Sequence, residues 1–233
     1  MVERRFSRPP ILIGGCGRSG TTLVQAILGA HPQVHVLPGE VDAFTTWQEG
    51  RPLRIDRLYR GMLLHPPGKD AQRWCVKRPY MVRHIGEILN YLPQGTKFIH
   101  VVRDARAVCC SHHPKQPNTY WVAPQRYYED VSCGLDYAQE EHVYLLKYED
   151  LVQHPQNTIE ALCEFLEVSF DQKLLRWQDH TSIQKANSWF SAAKPIHQGS
   201  LNHWKAPKYD NRVHEIINYP GMVELLKKLG YSV

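Results

Sequence analysis

The sequence predicts an α/β fold in which crossover helices connect the strands of a parallel sheet. Three short apolar stretches have the length and composition of buried strands, and they cover residues 11–13, 74–77 and 97–102. Each is followed by a turn and then by residues with helical spacing of apolar side chains. Because parallel strands need long crossover connections, which helices usually supply, this repeated strand–turn–helix order favours a parallel sheet.

The first predicted strand leads into a glycine-rich loop and then into a helix. The glycines of the loop are Gly14, Gly15, Gly17 and Gly20. Apolar residues then recur at helical spacing from Leu23 until Pro32 ends the pattern. Such a loop directs backbone amides and the positive end of the helix dipole at an anion, and the hydroxyls of Thr21 and Thr22 can add two donors. We therefore expect the loop to hold a phosphate group.

The residue at one position in this loop indicates which kind of phosphate ligand the loop binds. The P-loop of nucleoside-triphosphate enzymes carries a lysine directly after its last glycine, where it contacts the β- and γ-phosphates. In this chain Thr21 takes that position, and Arg18 supplies a cation from within the loop. ATP would lack its usual contact to the γ-phosphate. One alternative interpretation is therefore a P-loop kinase, and another is a non-catalytic nucleotide-binding protein. The purely structural interpretation is a tight turn that binds no ligand.

The rest of the chain continues the alternation of strands and helices. Further strands are predicted at residues 34–37 and 143–148, and further helices at 82–89, 105–111, 158–166 and 222–229. A loop over residues 112–128 is expected to lead into a helix that ends near residue 141. Residues 177–209 are polar, aromatic and largely irregular, which is typical of a lid or a binding loop. We expect a single domain over residues 1–233, with 177–209 as its lid region.

Composition and charge exclude several classes of protein. The net charge of +5 suits an anionic ligand but is too small for a nucleic-acid-binding surface, so we expect no nucleic-acid partner. No apolar run approaches the roughly 18 residues that span a bilayer, and we expect neither a transmembrane segment nor a targeting peptide. The six cysteines form no C-x-x-C pair and the thirteen histidines show no metal-ligating spacing. These patterns predict free thiols in a reducing cytoplasm and no metal site.

Seven segments of the chain resemble, in order, those of the sulfotransferases that use 3′-phosphoadenosine-5′-phosphosulfate (PAPS). The segments are GGCGRSGTTL (14–23), AHP (30–32), GE (39–40), VKRPY (76–80), KFIHVVRDARAVCCSHH (97–113), LLKYEDLV (145–152) and KPIHQGSLNHW (194–204). The tyrosylprotein-sulfotransferase-like and bacterial branch is the most similar. The resemblance implies a three-layer α/β/α fold like that of P-loop nucleotide kinases. It also implies in-line transfer of a sulfuryl group from PAPS to a hydroxyl or amine, without a metal and with release of 3′,5′-diphosphoadenosine (PAP).

The resemblance implies a set of PAPS-binding residues. Those of the glycine-rich loop, which match the family's 5′-phosphosulfate site, are Arg18, Ser19, Gly20, Thr21 and Thr22. Arg18 is expected near the sulfonate and is therefore also a candidate catalytic residue. Arg103 and Ser111 match the pair that binds the 3′-phosphate, and Lys115 matches a further basic position. The structural alternative for Arg103 is an ion pair with Asp104 or Glu149.

Further contacts with the nucleotide are implied by the YEDL segment and the predicted lid. Tyr148 resembles a family contact to PAPS, and a core tyrosine is the alternative. Ser188 and His203 fall where the family has a serine and a lysine that reach the nucleotide. Trp189 or Trp204 could stack on the adenine, although core packing is the alternative for either.

Two residues are expected to carry the transfer itself. Lys77 aligns with the strand-end lysine that stabilises charge on the oxygen bridging phosphate and sulfate, and its neighbour Arg78 could share that role. Glu40 is the expected general base, with Asp42 and His35 as alternatives. The acceptor is left open among a saccharide, a lipid headgroup, a peptide and a small alcohol.

Overall fold

The computed structural model describes residues 5–45, 53–113, 115–184, 196 and 198–233, and a five-stranded parallel sheet lies at its centre. The strands of this sheet are β1 (Ile11–Gly15), β2 (Val34–Val36), β3 (Arg73–Lys77), β4 (Lys97–Val102) and β7 (Val143–Lys147), in the spatial order β2-β3-β1-β4-β7. A separate antiparallel hairpin is formed by β5 (His112–His113) and β6 (Gln116–Tyr120). The predicted parallel sheet is confirmed, including the three strands at 11–13, 74–77 and 97–102.

The α-helices among the described residues connect and flank these strands. They are α1 (Thr21–Leu28), α2 (Ile55–Leu64), α3 (Ile85–Tyr91), α4 (Ala105–Cys109), α5 (Pro124–Leu135), α6 (Tyr148–Gln153), α7 (Pro155–Phe165), α8 (Trp177–His180), α9 (Asp210–Ile217) and α10 (Met222–Lys228). Short 3-10 helices cover Pro79–His84, Gln172–Arg176, Gln198–Ser200, His203–Lys205 and Pro207–Tyr209. None of the described helices is long and apolar enough to cross a membrane.

Side chains of β1 alternate between two hydrophobic cores, one on each face of the sheet. Ile11 and Ile13 join a cluster that includes α1 and α7 residues, whereas Leu12 joins a cluster with residues of α3 and the preceding 3-10 helix. This alternation follows from the strand period of two, and it requires helices on both faces because all three side chains are fully buried. The three-layer α/β/α fold is therefore confirmed.

The predicted boundaries were wrong in the region that follows β4. The helix there ends at Cys109, and residues 112–120, expected to be loop, contain the β5–β6 hairpin. The helix expected to reach residue 141 ends at Leu135. Beyond it, the amides of Tyr137, Ala138, Glu140 and Val143 bond to carbonyls three residues back, so the chain forms tight turns that lead into β7 rather than a further α-helical turn.

Strand register places the functional segments at one edge of the sheet. Ile13 of β1 is opposite Lys77 of β3, and Gly15 of β1 is opposite Val101 of β4. The glycine-rich loop, Lys77 and Arg103 therefore all lie at the carboxyl ends of three adjacent strands, which is the usual location of ligand sites in open α/β sheets.

Candidate active site

The glycine-rich loop adopts a conformation that only a few residue types tolerate. Gly20 has φ +102°, and a Cβ at this position would lie 2.4 Å from Cδ2 of Tyr148. Arg18 also has a positive φ, of 70°. No side chain of the described residues caps the amino end of α1, so its backbone amides and the positive end of its dipole are available to an anion. The Ser19 hydroxyl is fully buried and has no hydrogen-bond partner among the described residues. These features fit a bound phosphate.

Arg103 is a buried cation without a carboxylate partner among the described residues. Its guanidinium donates to the backbone carbonyls of Arg18, at 3.3 Å, and Ser200, and it stacks 4.4 Å from the ring centroid of Tyr148. Only 7% of Arg103 is exposed, and burial lowers the pKa of its guanidinium. A buried charge is costly unless it is paired, so this group favours an anionic ligand.

The expected alternative partners of Arg103 are engaged elsewhere. Asp104 pairs with Arg106 at 2.6 Å and accepts a hydrogen bond from the Arg106 amide at the start of α4. Glu149 accepts hydrogen bonds from the Asp104 amide, at 3.0 Å, and from the Tyr231 hydroxyl, at 2.8 Å. Both carboxylates therefore organise the strand end that presents Arg103, and neither forms an ion pair with it among the described contacts.

A cavity of about 360 Å³ opens beside Arg103. Its described lining residues are Arg18, Arg103, Cys110, Ser111, His112, Gly199, Ser200, His203 and Tyr209. No carboxylate belongs to this described lining, whereas two guanidinium groups do. Burial lowers the pKa of Arg18, and the nearby charge of Arg103 lowers it further. The arrangement is therefore suited to an anion with more than one negative charge.

The structure brings together most of the residues expected to bind the nucleotide. Arg18, Arg103, Ser111 and His203 line the cavity, and Tyr148 packs between Gly20 and Arg103, with its hydroxyl 2.7 Å from Oγ of Ser200. Ser111 lines the cavity from just beyond α4, and its hydroxyl donates to the Ala107 carbonyl at 2.9 Å.

Other residues expected at this site lie elsewhere. Lys115 is exposed at the turn of the β5–β6 hairpin and does not belong to the described cavity lining. The ring of Trp204 packs 4.1 Å from the Arg106 guanidinium carbon rather than in the cavity. Ser188 and Trp189 lie outside the described residues.

Several cavity residues were missed by sequence reasoning. His112 directly follows Ser111 and lies within the matching segment 97–113, so its position there could have identified it. Tyr209 and Ser200 come from the region 177–209 that was expected to be a lid, and Ser200 lies within the matching segment 194–204, but no local pattern connects either residue to β4. Trp121 was also missed, although its ring lies 5.5 Å from the Arg18 guanidinium carbon. Among the described residues, aromatic faces near the cavity are thus contributed by Trp121 and Tyr209 rather than by Trp204.

Lys77 and Glu40 form an ion pair at the neighbouring strand end. Nζ of Lys77 donates to Oε1 of Glu40 at 2.9 Å. The Lys77 side chain is 4% exposed and that of Glu40 is 49% exposed. Burial lowers the pKa of Lys77, and the charge of Glu40 opposes this shift. The pair combines a buried cation with a carboxylate that solvent or an acceptor can reach.

Local contacts fix the segment that carries Glu40. The Gln25 amide nitrogen donates to the carbonyls of Leu37 and Gly39, both at 2.9 Å. The Val41 amide donates to the Lys77 carbonyl at 3.3 Å. Gly39, with φ +75°, turns the chain so that Glu40 follows directly beside β3.

The two alternative bases have other surroundings. Asp42 pairs with Arg78 at 3.1 Å and with Arg57, and it accepts a hydrogen bond from Thr45. His35 lies within β2, where its ring stacks on Phe6 with 6.1 Å between centroids. Burial lowers the pKa of His35. Glu40 is thus the candidate base that contacts the strand-end lysine.

A parallel α/β sheet with a guanidinium-lined cavity at its carboxyl edge is typical of nucleotide-binding proteins. Comparisons with known proteins identify the family within this class. The sulfotransferase family profile matches residues 9–54 and 47–172. A putative protein-tyrosine sulfotransferase of Caenorhabditis briggsae is 31% identical over an alignment 230 positions long, and the alignment covers 83% of this chain and 80% of that protein.

Solved structures show the same fold. The sulfotransferase domain from the curacin biosynthetic pathway superposes with a TM-score of 0.70 at 20% identity and covers 97% of this chain and 100% of its own. A mouse sulfotransferase complexed with PAP superposes with a TM-score of 0.62 at 12% identity, covering 97% of this chain and 90% of its own.

The chain belongs to the sulfotransferase family. As a member of this family it is a PAPS-dependent enzyme that transfers a sulfuryl group. The predicted family, reaction and donor are therefore confirmed, and the P-loop kinase alternative is set aside. The described residues contain no group of histidine, cysteine, aspartate or glutamate side chains that could hold a metal ion.

Proposed function

We propose that the cavity beside Arg103 binds PAPS and that Glu40 and Lys77 carry out the transfer to a hydroxyl group. The 3′-phosphate is assigned to Arg103 and Ser111, and the 5′-phosphosulfate to Arg18 and to the loop that runs through Ser19, Gly20, Thr21 and Thr22. The observation that carries this assignment is the buried guanidinium of Arg103, which faces a cavity with no described carboxylate. The ring of Tyr148 stacks on that guanidinium, and His203 forms part of the cavity wall.

The ion pair at the end of β3 supports separate roles for Glu40 and Lys77 in the reaction. Bound PAPS supplies an activated sulfuryl group and leaves as PAP. Glu40 accepts the proton of the acceptor hydroxyl as its oxygen bonds to sulfur, because this carboxylate is the exposed member of the pair. Lys77 stabilises the negative charge on the oxygen that loses its bond to sulfur, because a buried ammonium acts in a low dielectric. Arg18 neutralises charge on the sulfonate from within the loop.

The nucleotide assignment predicts discrimination between two adenosine phosphates. PAP is expected to raise the melting temperature of the protein by about 5–10 °C at 100 times its Kd, since that saturation contributes about 2.7 kcal/mol. AMP at the same concentration should raise it much less, because it lacks the 3′-phosphate that Arg103 and Ser111 would bind. Differential scanning fluorimetry measures both shifts.

Two variants make this measurement specific. Arg103→Ala should remove most of the difference between PAP and AMP. Arg106→Ala serves as the matched control, because Arg106 lies three residues further on, pairs with Asp104 and does not line the cavity. Equal shifts by PAP and AMP in the wild-type protein would contradict the assignment of the 3′-phosphate.

For the acceptor, we propose the phenolic hydroxyl of a tyrosine in a peptide or protein. The support is the 31% identical relative, which is named a putative protein-tyrosine sulfotransferase, together with the solvent access of Glu40. With radiolabelled PAPS, a tyrosine-containing peptide should become labelled, and the same peptide with phenylalanine in place of tyrosine should not. If a saccharide, a lipid, an amine or a simple alcohol became labelled instead, the proposed acceptor would be wrong, whereas the assignment of the nucleotide site would stand.

We further propose a reducing compartment, the cytoplasm, and a single domain over residues 1–233. All six cysteines are free thiols, and five of them are buried, which is usual where disulfides do not form. The region 177–209 is proposed to act as a lid. The support is that Ser200 and His203 line the cavity opposite the strand ends, with the Ser200 carbonyl accepting a hydrogen bond from Arg103.

A further inference from the structure

His203 lies in the cavity wall beside two guanidinium groups. Given the proposed binding of PAPS, on which this inference rests, we infer that His203 takes up a proton when the nucleotide binds. Its ring is neutral in the free protein and becomes a charged phosphate ligand in the complex. Nucleotide affinity then depends on pH through His203. In the family that this chain resembles, a permanently charged lysine takes this position.

The hydrogen bond of the His203 ring decides which nitrogen can face a ligand. Nδ1 lies 2.9 Å from the Ser200 carbonyl oxygen, and a carbonyl only accepts, so the hydrogen of the neutral ring is assigned to Nδ1. Nε2 of the neutral ring is then an acceptor and would meet a phosphate oxygen with its lone pair. Protonation at Nε2 converts it into a charged donor. A nucleotide phosphate against this nitrogen is therefore compatible with the imidazolium and not with the neutral ring.

The charges around His203 keep the ring neutral in the free protein. The groups that face it are Arg18 from the glycine-rich loop, Arg103 from the end of β4, His112 from β5 and Tyr209, whose ring is edge-on at 5.9 Å. Burial lowers the pKa of His203 below its ordinary 6.5, and Arg103, Arg18 and His112 lower it further, although the Ser200 carbonyl raises it. The described lining of the cavity contains no carboxylate.

A bound nucleotide reverses the sign of this local charge. Each phosphate monoester carries about −1.5 to −2 charges near pH 7, and an opposite charge within a few ångströms favours the protonated form of a histidine and raises its pKa. The pKa of His203 is then higher in the complex than in the free protein. A group of this kind strengthens binding at low pH, and the gain is lost as pH rises through the pKa in the complex, by at most about tenfold per pH unit.

Isothermal titration calorimetry with PAP tests the inference without relying on turnover. Titrations at one pH in two buffers of different ionisation enthalpy give the number of protons taken up, and a pH series gives the Kd. We expect the wild-type protein to take up a substantial fraction of one proton near pH 7. His203→Gln should abolish that uptake and weaken binding at pH 6.5 more than at pH 8. His203→Lys should bind PAP with an affinity that changes little over this range.

The matched control is His112→Gln, which alters the other histidine of the cavity and should retain the proton uptake. The phosphates of PAP titrate equally in all these proteins, so differences between variants isolate the histidine. Undiminished uptake in His203→Gln, or uptake lost only in His112→Gln, would overturn the inference while leaving the nucleotide site in place. An absence of PAP binding to the wild-type protein would instead overturn the proposed function and this inference with it.

Discussion

Replacing Glu40 by glutamine is expected to lower kcat by about 10²- to 10⁴-fold, the usual contribution of a positioned general base. The amide keeps the size of the side chain but cannot take the proton from the acceptor hydroxyl. PAP affinity should change little, because Glu40 contacts Lys77 and does not line the cavity beside Arg103. Single-turnover transfer of label from saturating PAPS, with calorimetry of PAP, measures the two effects separately.

Asp42→Asn is the matched control for this change. Asp42 lies two residues from Glu40 and is a carboxylate as well, but it is already paired with Arg57 and Arg78. We expect its loss to reduce kcat much less than the loss of Glu40. A Glu40→Gln protein with nearly normal turnover and a lowered melting temperature would show that Glu40 only neutralises Lys77. An inactive Asp42→Asn protein beside an active Glu40→Gln protein would move the base to Asp42.

Lys77→Ala is expected to lower kcat by about 10²- to 10³-fold, the magnitude seen when one preorganised donor to a developing oxyanion is removed. The KM for PAPS should rise much less, since the interaction strengthens only as charge appears on the leaving oxygen. Arg103→Ala should show the opposite division, with a large rise in KM and a smaller fall in kcat. If Lys77→Ala and Arg103→Ala lowered kcat and raised KM alike, the two strand ends would not have separate roles.

The pH dependence of kcat gives a second measurement on Lys77. Burial outweighs the opposing charge of Glu40, so the pKa of Lys77 lies below its ordinary 10.5. Lys77 therefore loses its proton at a lower pH than an exposed lysine, and kcat should fall as pH rises through that lowered value. Lys77→Arg, which stays charged, should lack this fall at alkaline pH. Glu40→Gln removes a charge that raises the pKa of Lys77 and should shift the fall to lower pH.

The segments that could be predicted are those with a strong local signal. Residues 97–102 form a nearly continuous apolar run that is followed by Arg103, and this pattern is sufficient to identify a buried strand and the cation at its end. The β5–β6 hairpin has no such signal, because Gln116–Tyr120 is almost entirely exposed and contains Pro117, a residue that argues against a strand. The end of α5 was missed because turns with bonds three residues apart share the polar composition of an exposed helix.

By itself, the sequence determined the parallel sheet, the glycine-rich loop and the identity of the cations that end β3 and β4. Each of these belongs to one strand–turn–helix unit, whose residues are neighbours in the chain, so local pattern carries the information. The tertiary structure alone decided that Lys77 meets Glu40, 37 residues away, and that Arg103 meets the Ser200 carbonyl, 97 residues away. These contacts depend on the order β3-β1-β4 in the sheet and on the position of the region after residue 177, which lies against the strand ends. Neither of these features can be predicted from a local sequence pattern.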